Sequence, residues 1–201
     1  MVTMNNVQDE LKALPTIEAV QDAYRSMAGK VSVVALNISG DMNIGTMIRT
    51  CGLFGVEQFH LFGRRKYDKR GTVGANKFVP TKYHACATGP GNGTLDVPKV
   101  IEYLKPMTET HRLVFVEQYP ERSVPVNRWG GSDSSSLLPP VFIVGNEGHG
   151  IPRDIIDAFD PLSVDVVEIP QPGVGRSHNV AVALGIVLYE CVIRRNESWL
   201  S

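Results

Sequence analysis

The stretch VFIVGNEGHG (residues 141–150), joined further on by VVEIPQPGVGRSHNVAVALGIVLYE (residues 166–190), decides the fold. An unbroken apolar run enters Gly145-Asn146-Glu147-Gly148-His149-Gly150. A second run ends at Ile169-Pro170, and a Gly-rich loop then delivers Ser177-His178-Asn179 to the start of an apolar helix. Short, unbroken apolar runs are the habit of strands buried on both faces, as in parallel sheets. Two consecutive strands therefore finish in loops able to wrap one small molecule. Open α/β sheets bind ligands outside the carboxyl ends of their strands, so chemistry is expected there.

Outward from this segment, strands and helices alternate. Strands are predicted at 31–36, 58–62, 83–87, 112–117, 141–144 and 164–169, and helices over 43–54, 95–104, 152–159 and 179–196. Gly55 suits the C-terminal cap of the 43–54 helix. Residues 118–140, rich in Ser, Pro and Gly, read as a long irregular loop. The pattern implies an α/β fold, a mostly parallel sheet flanked by helices. Before it, residues 1–28 carry Val7, Leu11, Leu14, Ile17, Val20, Tyr24 and Met27 at helical spacing and read as a short helical extension around Pro15. Residues 29–201 form the main domain.

The 201 residues are 43% hydrophobic and 20% charged, which places the chain among globular proteins and away from disordered ones. A net charge of -1 announces no polyanion partner, so any basic site must be local. Cys51, Cys86 and Cys191 are odd in number and lack metal spacing, which suits reduced thiols. The first residues lack a signal-peptide core, and the apolar stretch 180–193 falls short of the roughly 20 residues of a membrane span. A soluble cytoplasmic protein is expected.

The loop at 145–150 is not a dinucleotide fingerprint. Its glycines read G-x-x-G-x-G rather than G-x-G-x-x-G, and the strand expected about 20 residues on, 164–169, is read as ending in Ile169 rather than in an acid. No phosphate-binding GxxxxGK[ST] is present either. Taken alone the loop could be a plain turn, but its pairing with the 169–179 loop points to a site.

Three further features carry chemistry. If Asn43 caps the 43–54 helix, Arg49 lies nearly two turns in, among Ile48, Leu53 and Phe54. An arginine buried there requires a partner or a ligand anion, whereas one that reaches solvent does not. Guanidinium geometry suits a phosphate. Arg64-Arg65-Lys66-Tyr67-Asp68-Lys69-Arg70 sets five cations around one carboxylate just past a strand, where nucleic-acid phosphate contact competes with a merely solvated face. Glu147, the lone acid of its loop, is either a base or a carboxylate that pins Arg49 or the loop. His149 and His178 lack metal-like companions, and Ser177 lacks a Ser-His-Asp arrangement because His178 is its neighbour in sequence.

The three blocks Asn43-x-Gly45-x-x-x-Arg49 with Phe54-Gly55, Gly145-Asn146-Glu147-Gly148-x-Gly150, and Ile169-Pro170 through Ser177-x-Asn179-Val180 to Leu188-Tyr189-Glu190 stand in order over residues 30–195. Together they resemble the SpoU (TrmH) family of RNA ribose 2'-O-methyltransferases, of the SPOUT superfamily. The resemblance implies a C-terminal trefoil knot, S-adenosylmethionine as cofactor, and a homodimer with its active site near the interface. It implies cofactor contacts from Val116, Glu117, Gly145, Asn146, Gly148, Ile169, Gln171, Ser177, His178 and Asn179. It gives Arg49, Asn43, Glu147, Ser177 and Asn179 to catalysis, and sets Arg49, Arg64, Arg65, Lys66, Lys69 and Arg70 against RNA. The family proposal that the motif arginine removes the 2'-hydroxyl proton is awkward, because an arginine is nearly always protonated. A phosphate and alkoxide clamp is the preferred role. His178 and Gln171 depart from the family's usual apolar residues. The short extension resembles no separate RNA-binding domain, which favours tRNA over ribosomal RNA as substrate. A catalytically silent RNA-binding protein of the same fold is the alternative, disfavoured by the complete motif set.

Overall fold

The computed structural model describes residues 11, 13–63, 66–89, 93–130 and 138–194. Its elements run α1 (Ile17–Met27), β1 (Ser32–Leu36), α2 (Asp41–Leu53), β2 (Gln58–Phe62), β3 (Thr81–His84), β4 (Ala87–Thr88), β5 (Thr94–Leu95), α3 (Val97–Leu104), β6 (Arg112–Val116), β7 (Val124–Pro125), β8 (Pro140–Val144), α4 (Arg153–Asp157), β9 (Val164–Glu168) and α5 (Val180–Leu188). One seven-stranded sheet has the order β3-β2-β1-β8-β6-β9-β7. Every pairing in it is parallel. The α/β expectation holds.

Parity along each strand explains the two cores. Val33 and Ala35 of β1 pair with Phe142 and Val144 of β8, and all four face one core together with Val114 of β6. There they meet Ile44, Met47, Ile48 and Cys51 of α2 and Leu184, Val187 and Leu188 of α5. Val34, Leu36, Val141, Ile143, Leu113 and Phe115 face the other core, under α3 and α4. Strands buried on both sides have no polar face, so the runs at 32–36 and 141–144 show no alternation. Each such Val, Ile or Phe stabilises the fold by about 1.5–3 kcal/mol relative to leaving it in water.

The structure adjusts several expectations. The 43–54 helix begins at Asp41 with Gly40 as its cap, so Asn43 sits in the first turn and is not the cap. Gly55, at φ +63, ends it as expected. The strands β8 and β9 are not neighbours; β6 lies between them. Three strand ends rather than two therefore face one site, which brings Val116 and Glu117 into it. Within the 118–140 loop, Val124 and Pro125 pair with β9, and Trp129 packs against Phe142 at 5.7 Å. The final helix is α-helical only to Leu188 and continues as a π-helix over Tyr189–Arg194. The helix α1 joins the core through Tyr24, whose hydroxyl donates to the Val56 carbonyl at 2.7 Å. The expected apolar position Val7 lies outside the described residues. No helix among the described residues is long and apolar enough to cross a membrane.

At the β2–β3 edge, His60 Nδ1 lies 3.0 Å from His84 Nε2, and both rings are buried. Burial, then the neighbours His84, Lys82 and His111, pushes His60 down to about 3. Burial and Lys82 take His84 to about 4. In the unfolded chain both titrate near 6.5. Stability is therefore whole above about pH 6.5 and falls as pH drops toward those lower values, because unfolding takes up protons. Each histidine contributes at most about 1.4 kcal/mol per pH unit to that slope. Thermal melting between pH 7 and pH 4.5 should show the fall, and His60→Gln should flatten it; an unchanged slope in that variant would refute the assignment.

Candidate functional site

The carboxyl ends of β8, β6 and β9 open onto a cavity of about 300 Å³. β6 contributes Val116 and Glu117, and the turn after β8 contributes Gly145, Asn146 and Gly148. Ile169 and Gln171 follow β9, and Ser177 and His178 close the ring from the loop before α5. Thus nine of the ten residues expected to touch a cofactor line one cavity. Asn179, the tenth, is the N-cap of α5 directly beside it.

The turn after β8 is held by its own backbone. Asn146 and Gly150 exchange two hydrogen bonds of 3.1 and 2.8 Å. This closes the loop so tightly that a Cβ on Gly145 would lie 2.3 Å from the Gly150 carbonyl carbon. Gly150 itself has φ +65, and a Cβ there would strike the Glu117 carboxylate at 2.4 Å. That carboxylate accepts from Ile151 N at 2.8 Å and from Gln118 N at 2.9 Å, tying the end of β6 to the exit of the loop. The glycines are a packing requirement of the turn.

Side chains then lock the three sequence blocks together. Glu147 accepts from Ser39 N at 2.8 Å, Gly40 N at 2.9 Å and Asn43 Nδ2 at 2.9 Å. A carboxylate only accepts, so the Asn43 amide must present its NH₂ to it and turn Oδ1 the other way. That Oδ1 accepts from Asn179 Nδ2 at 3.0 Å. Asn179 is thereby oriented too, and its Oδ1 accepts from Ala181 N at 2.9 Å at the start of α5. One carboxylate sets the direction of every amide in the chain. Glu147 also lies against the N-terminus of α2, where negative charge is favoured.

Burial pushes the Glu147 carboxyl up, but its hydrogen bonds from Asn43, Ser39 and Gly40 outweigh this and hold it below the ordinary 4.5. A carboxylate with depressed pKa is a poor base. Of the two roles expected for Glu147, pinning is the one realised, and its partners are the 39–43 segment rather than Arg49.

Arg49 departs from expectation. It is exposed, makes no hydrogen bond or ion pair among the described residues, and does not line the cavity. Six residues after Asn43, it points about 240° around the helix from the side chain that meets Glu147. The buried-arginine reading is wrong; the guanidinium is solvent-facing. In the basic run, Arg70 is committed to Asp68 through contacts of 2.7–3.1 Å. Lys66 and Lys69 are exposed and form no ion pair among the described residues, and Arg64 and Arg65 lie outside those residues.

Several site residues have no sequence signal of their own. Asn37, at φ 46, presents its carbonyl to Asn146 Nδ2 at 2.7 Å, and Ser39 Oγ accepts from the same amide at 2.9 Å. Those bonds direct Asn146 Oδ1 toward the Gly148 and His149 amides and His149 Nδ1, which must carry its proton. Glu168 lines the cavity while accepting from Ser123 Oγ at 2.9 Å. These residues became visible only because they are the last or next residues of strands that prove to be neighbours.

The lining mixes apolar walls (Val116, Val144, Val167, Ile169) with three carboxylates, Glu117, Glu147 and Glu168, and among the described residues has no lysine or arginine. It fits a small ligand that is apolar in part and carries positive charge. An anionic dinucleotide would find no cation there.

Residues 30–189 match the SpoU rRNA Methylase family. The chain is 28% identical to a tRNA (guanosine(18)-2'-O)-methyltransferase of Aquifex aeolicus, over 82% of this chain and 70% of that one. It is 25% identical to an uncharacterised tRNA/rRNA methyltransferase of Synechocystis, over 85% of this chain but only 54% of the relative. The crystal structure of the A. aeolicus TrmH/SpoU tRNA modifying enzyme superposes with a TM-score of 0.68 at 24% identity, over 97% of this chain and 87% of that one. An AdoMet-bound rRNA methyltransferase of Sinorhizobium meliloti gives a TM-score of 0.62 at 23% identity, over 86% and 60%. These structures share the fold.

The directed chain from Glu147 makes a specific claim about polarity. Glu147→Gln should cost about 1–3 kcal/mol of unfolding free energy, the range for hydrogen bonds to a charged group. Asn43→Asp, which sets two carboxylates face to face, should cost more than Asn43→Ala in urea denaturation. Equal midpoints for the two Asn43 variants would remove the polarity argument.

Proposed function

The chain belongs to the SpoU rRNA Methylase family, and from that premise we propose that it transfers a methyl group from S-adenosylmethionine to a ribose 2'-hydroxyl of RNA, tRNA in preference to ribosomal RNA. The observation that carries this reading is the cavity at the ends of β8, β6 and β9, lined by the residues of the family motifs and bearing carboxylates without cations. When bound, S-adenosylmethionine supplies an electrophilic methyl on a positively charged sulfonium. The residues present fit it: apolar walls from Val116, Val144, Val167 and Ile169 for the flat base, and carboxylates that favour the positive charge. Gly145, Asn146, Gly148, Gln171, Ser177, His178 and Asn179 complete the binding set. Because the Gly-rich turn is pre-closed by the Asn146–Gly150 pairing, little order has to be gained on binding.

The acceptor hydroxyl must be held in line, and its proton passes to solvent water as the methyl leaves sulfur for the 2'-oxygen. Asn43 and Asn179, oriented by Glu147, and Ser177 at the cavity mouth serve to position the ribose. Arg49 acts as a clamp on the adjacent phosphate and on the developing alkoxide, since a guanidinium keeps its proton. Its exposure supports a place in a second subunit's reach. Leu53, one turn on from Arg49 on α2, and Val182, Tyr189 and Ile193 of the C-terminal helix packed against α2 are all exposed large hydrophobics. The proposal therefore includes a homodimer with the active site near the interface. It includes a C-terminal trefoil knot in residues 29–201, with residues 1–28 as a helical extension. The proposal sets the reaction in the cytoplasm, a reading that three buried free thiols support because they suit a reducing compartment.

Transfer of radiolabelled methyl groups from S-adenosylmethionine to bulk RNA, followed by mapping of 2'-O-methyl positions, tests the activity; no incorporation into any RNA pool would refute it. Arg49→Ala should abolish transfer while calorimetric affinity for the cofactor stays within a few fold, and lost cofactor binding would overturn the clamp role. Val182→Glu should sediment at half the mass of the wild type; an unchanged mass would remove this face from the interface.

A further inference from the structure

A second, larger cleft of about 810 Å³ lies away from the methyl-donor cavity and shares no residue with it. It is bounded by α1, by the segment 66–79, and by β3, the edge strand of the sheet. Arg25, Lys66, Lys69 and Lys82 line it, and among the described residues no aspartate or glutamate does. In a chain of net charge -1 this is a strong local asymmetry. Lys66, Lys69 and Lys82 form no ion pair among the described residues; Arg25 is shared with Asp22 at 2.9 Å on the exposed outer side of α1.

The walls are fixed rather than loose. Gln21 Nε2 donates to the Lys77 carbonyl at 2.8 Å, tying α1 to the loop, and Gln58 Nε2 donates to the Pro80 carbonyl at 2.7 Å. Tyr83 donates its hydroxyl to the Gly63 carbonyl at 2.8 Å, which holds a half-exposed ring against the cleft. Tyr67 and Phe78 add two more rings. Cations spaced along a groove with aromatic faces between them are the equipment for an unpaired nucleic-acid strand: cations meet phosphates and rings take bases.

We propose that this cleft binds a single-stranded segment of the substrate RNA, extending the track begun by Lys66 and Lys69 across the sheet edge to Lys82 and Arg25. The inference rests on the reading that the substrate is RNA. The segment 66–79 also joins the cleft to the reaction site. Gly45 of α2 lets it approach so closely that a Cβ there would lie 2.6 Å from the Asp68 carbonyl oxygen, and Asp68 N donates to the Asp41 carbonyl at 3.1 Å. RNA held in the cleft is thus held against the helix that carries Asn43 and Arg49. Edge-strand lysines also discourage strand-on-strand association, which would account for Lys82 but not for convergence with α1 and the loop.

The test measures binding apart from chemistry. Fluorescence anisotropy of a labelled single-stranded oligoribonucleotide, and of the blunt duplex made from it, is followed with full-length wild type, Arg25→Glu/Lys82→Glu, and Lys105→Glu on the far side of the sheet as control. The wild type should prefer the single strand. The double variant should bind it about tenfold more weakly, with the slope of log affinity against log salt reduced by about 1.4 for two lost contacts to single-stranded phosphate. The control should match the wild type, as should calorimetric cofactor affinity in the double variant. In methyl transfer the double variant should raise KM for RNA and leave kcat unchanged. Unchanged single-strand affinity in the double variant, or equal wild-type affinity for duplex and single strand, would overturn the proposal. Cleft-dependent RNA binding without methyl transfer in the wild type would uphold the cleft and sink the enzymatic reading instead.

Discussion

The site depends on a carboxylate that can only accept hydrogen bonds. Glu147 takes three of them from the segment leading into α2, and its demand for donors orients Asn43, then Asn179, then the first turn of α5. Pieces of chain separated by more than a hundred residues are thereby given one mutual geometry. Apolar packing of α2 on α5 brings the helices together, but packing is tolerant of small slides and rotations. A directed hydrogen-bond chain is not, because reversing any amide opposes donor to donor. The cavity at the strand ends and the helix carrying Asn43 are registered by this chain.

Charge is sorted about that register. Among the described residues, the cavity at the strand ends gathers three carboxylates and no lysine or arginine, and the cleft at the β3 edge gathers four cations and no carboxylate. A near-neutral total hides two opposite fields of local extent. At physiological salt the Debye length is about 8 Å, so each field acts on what enters its own concavity. A sulfonium cofactor and a polyanionic substrate can then approach one molecule without competing for the same charges.

Much of this was legible in the residues. Unbroken apolar runs identified the parallel strands, and the Gly-rich loops identified the rim, because both are direct consequences of burial on two faces and of close backbone approach. The order β8-β6-β9 was not legible, since strand order is set by long-range pairing that leaves no local pattern. Val116 and Glu117 were reached through family resemblance, whereas Glu168, Asn37 and Ser39 had nothing to mark them before the neighbouring strands were known. Asn is a preferred capping residue, which suggests Asn43 as the cap; the cap is Gly40 instead, and Asn43, in the first turn, gives its side chain to Glu147. The π-helix after Leu188 has no sequence signal that we recognise.

Arg49 is where local reading failed most instructively. Its flanking apolar residues suggest burial, yet helical geometry turns it about a third of the way round the helix from Asn43, into solvent. If Arg49 takes the clamp role proposed for it, a guanidinium outside its own subunit's cavity calls for a surface completed by another molecule. The exposed Leu53, Val182, Tyr189 and Ile193 are poor neighbours for water and good ones for a second copy of the same surface. On this view each subunit carries a finished methyl-donor cavity, and the acceptor half of the site is assembled by pairing. An isolated subunit would retain cofactor affinity and lose transfer, because the two depend on different surfaces of the fold.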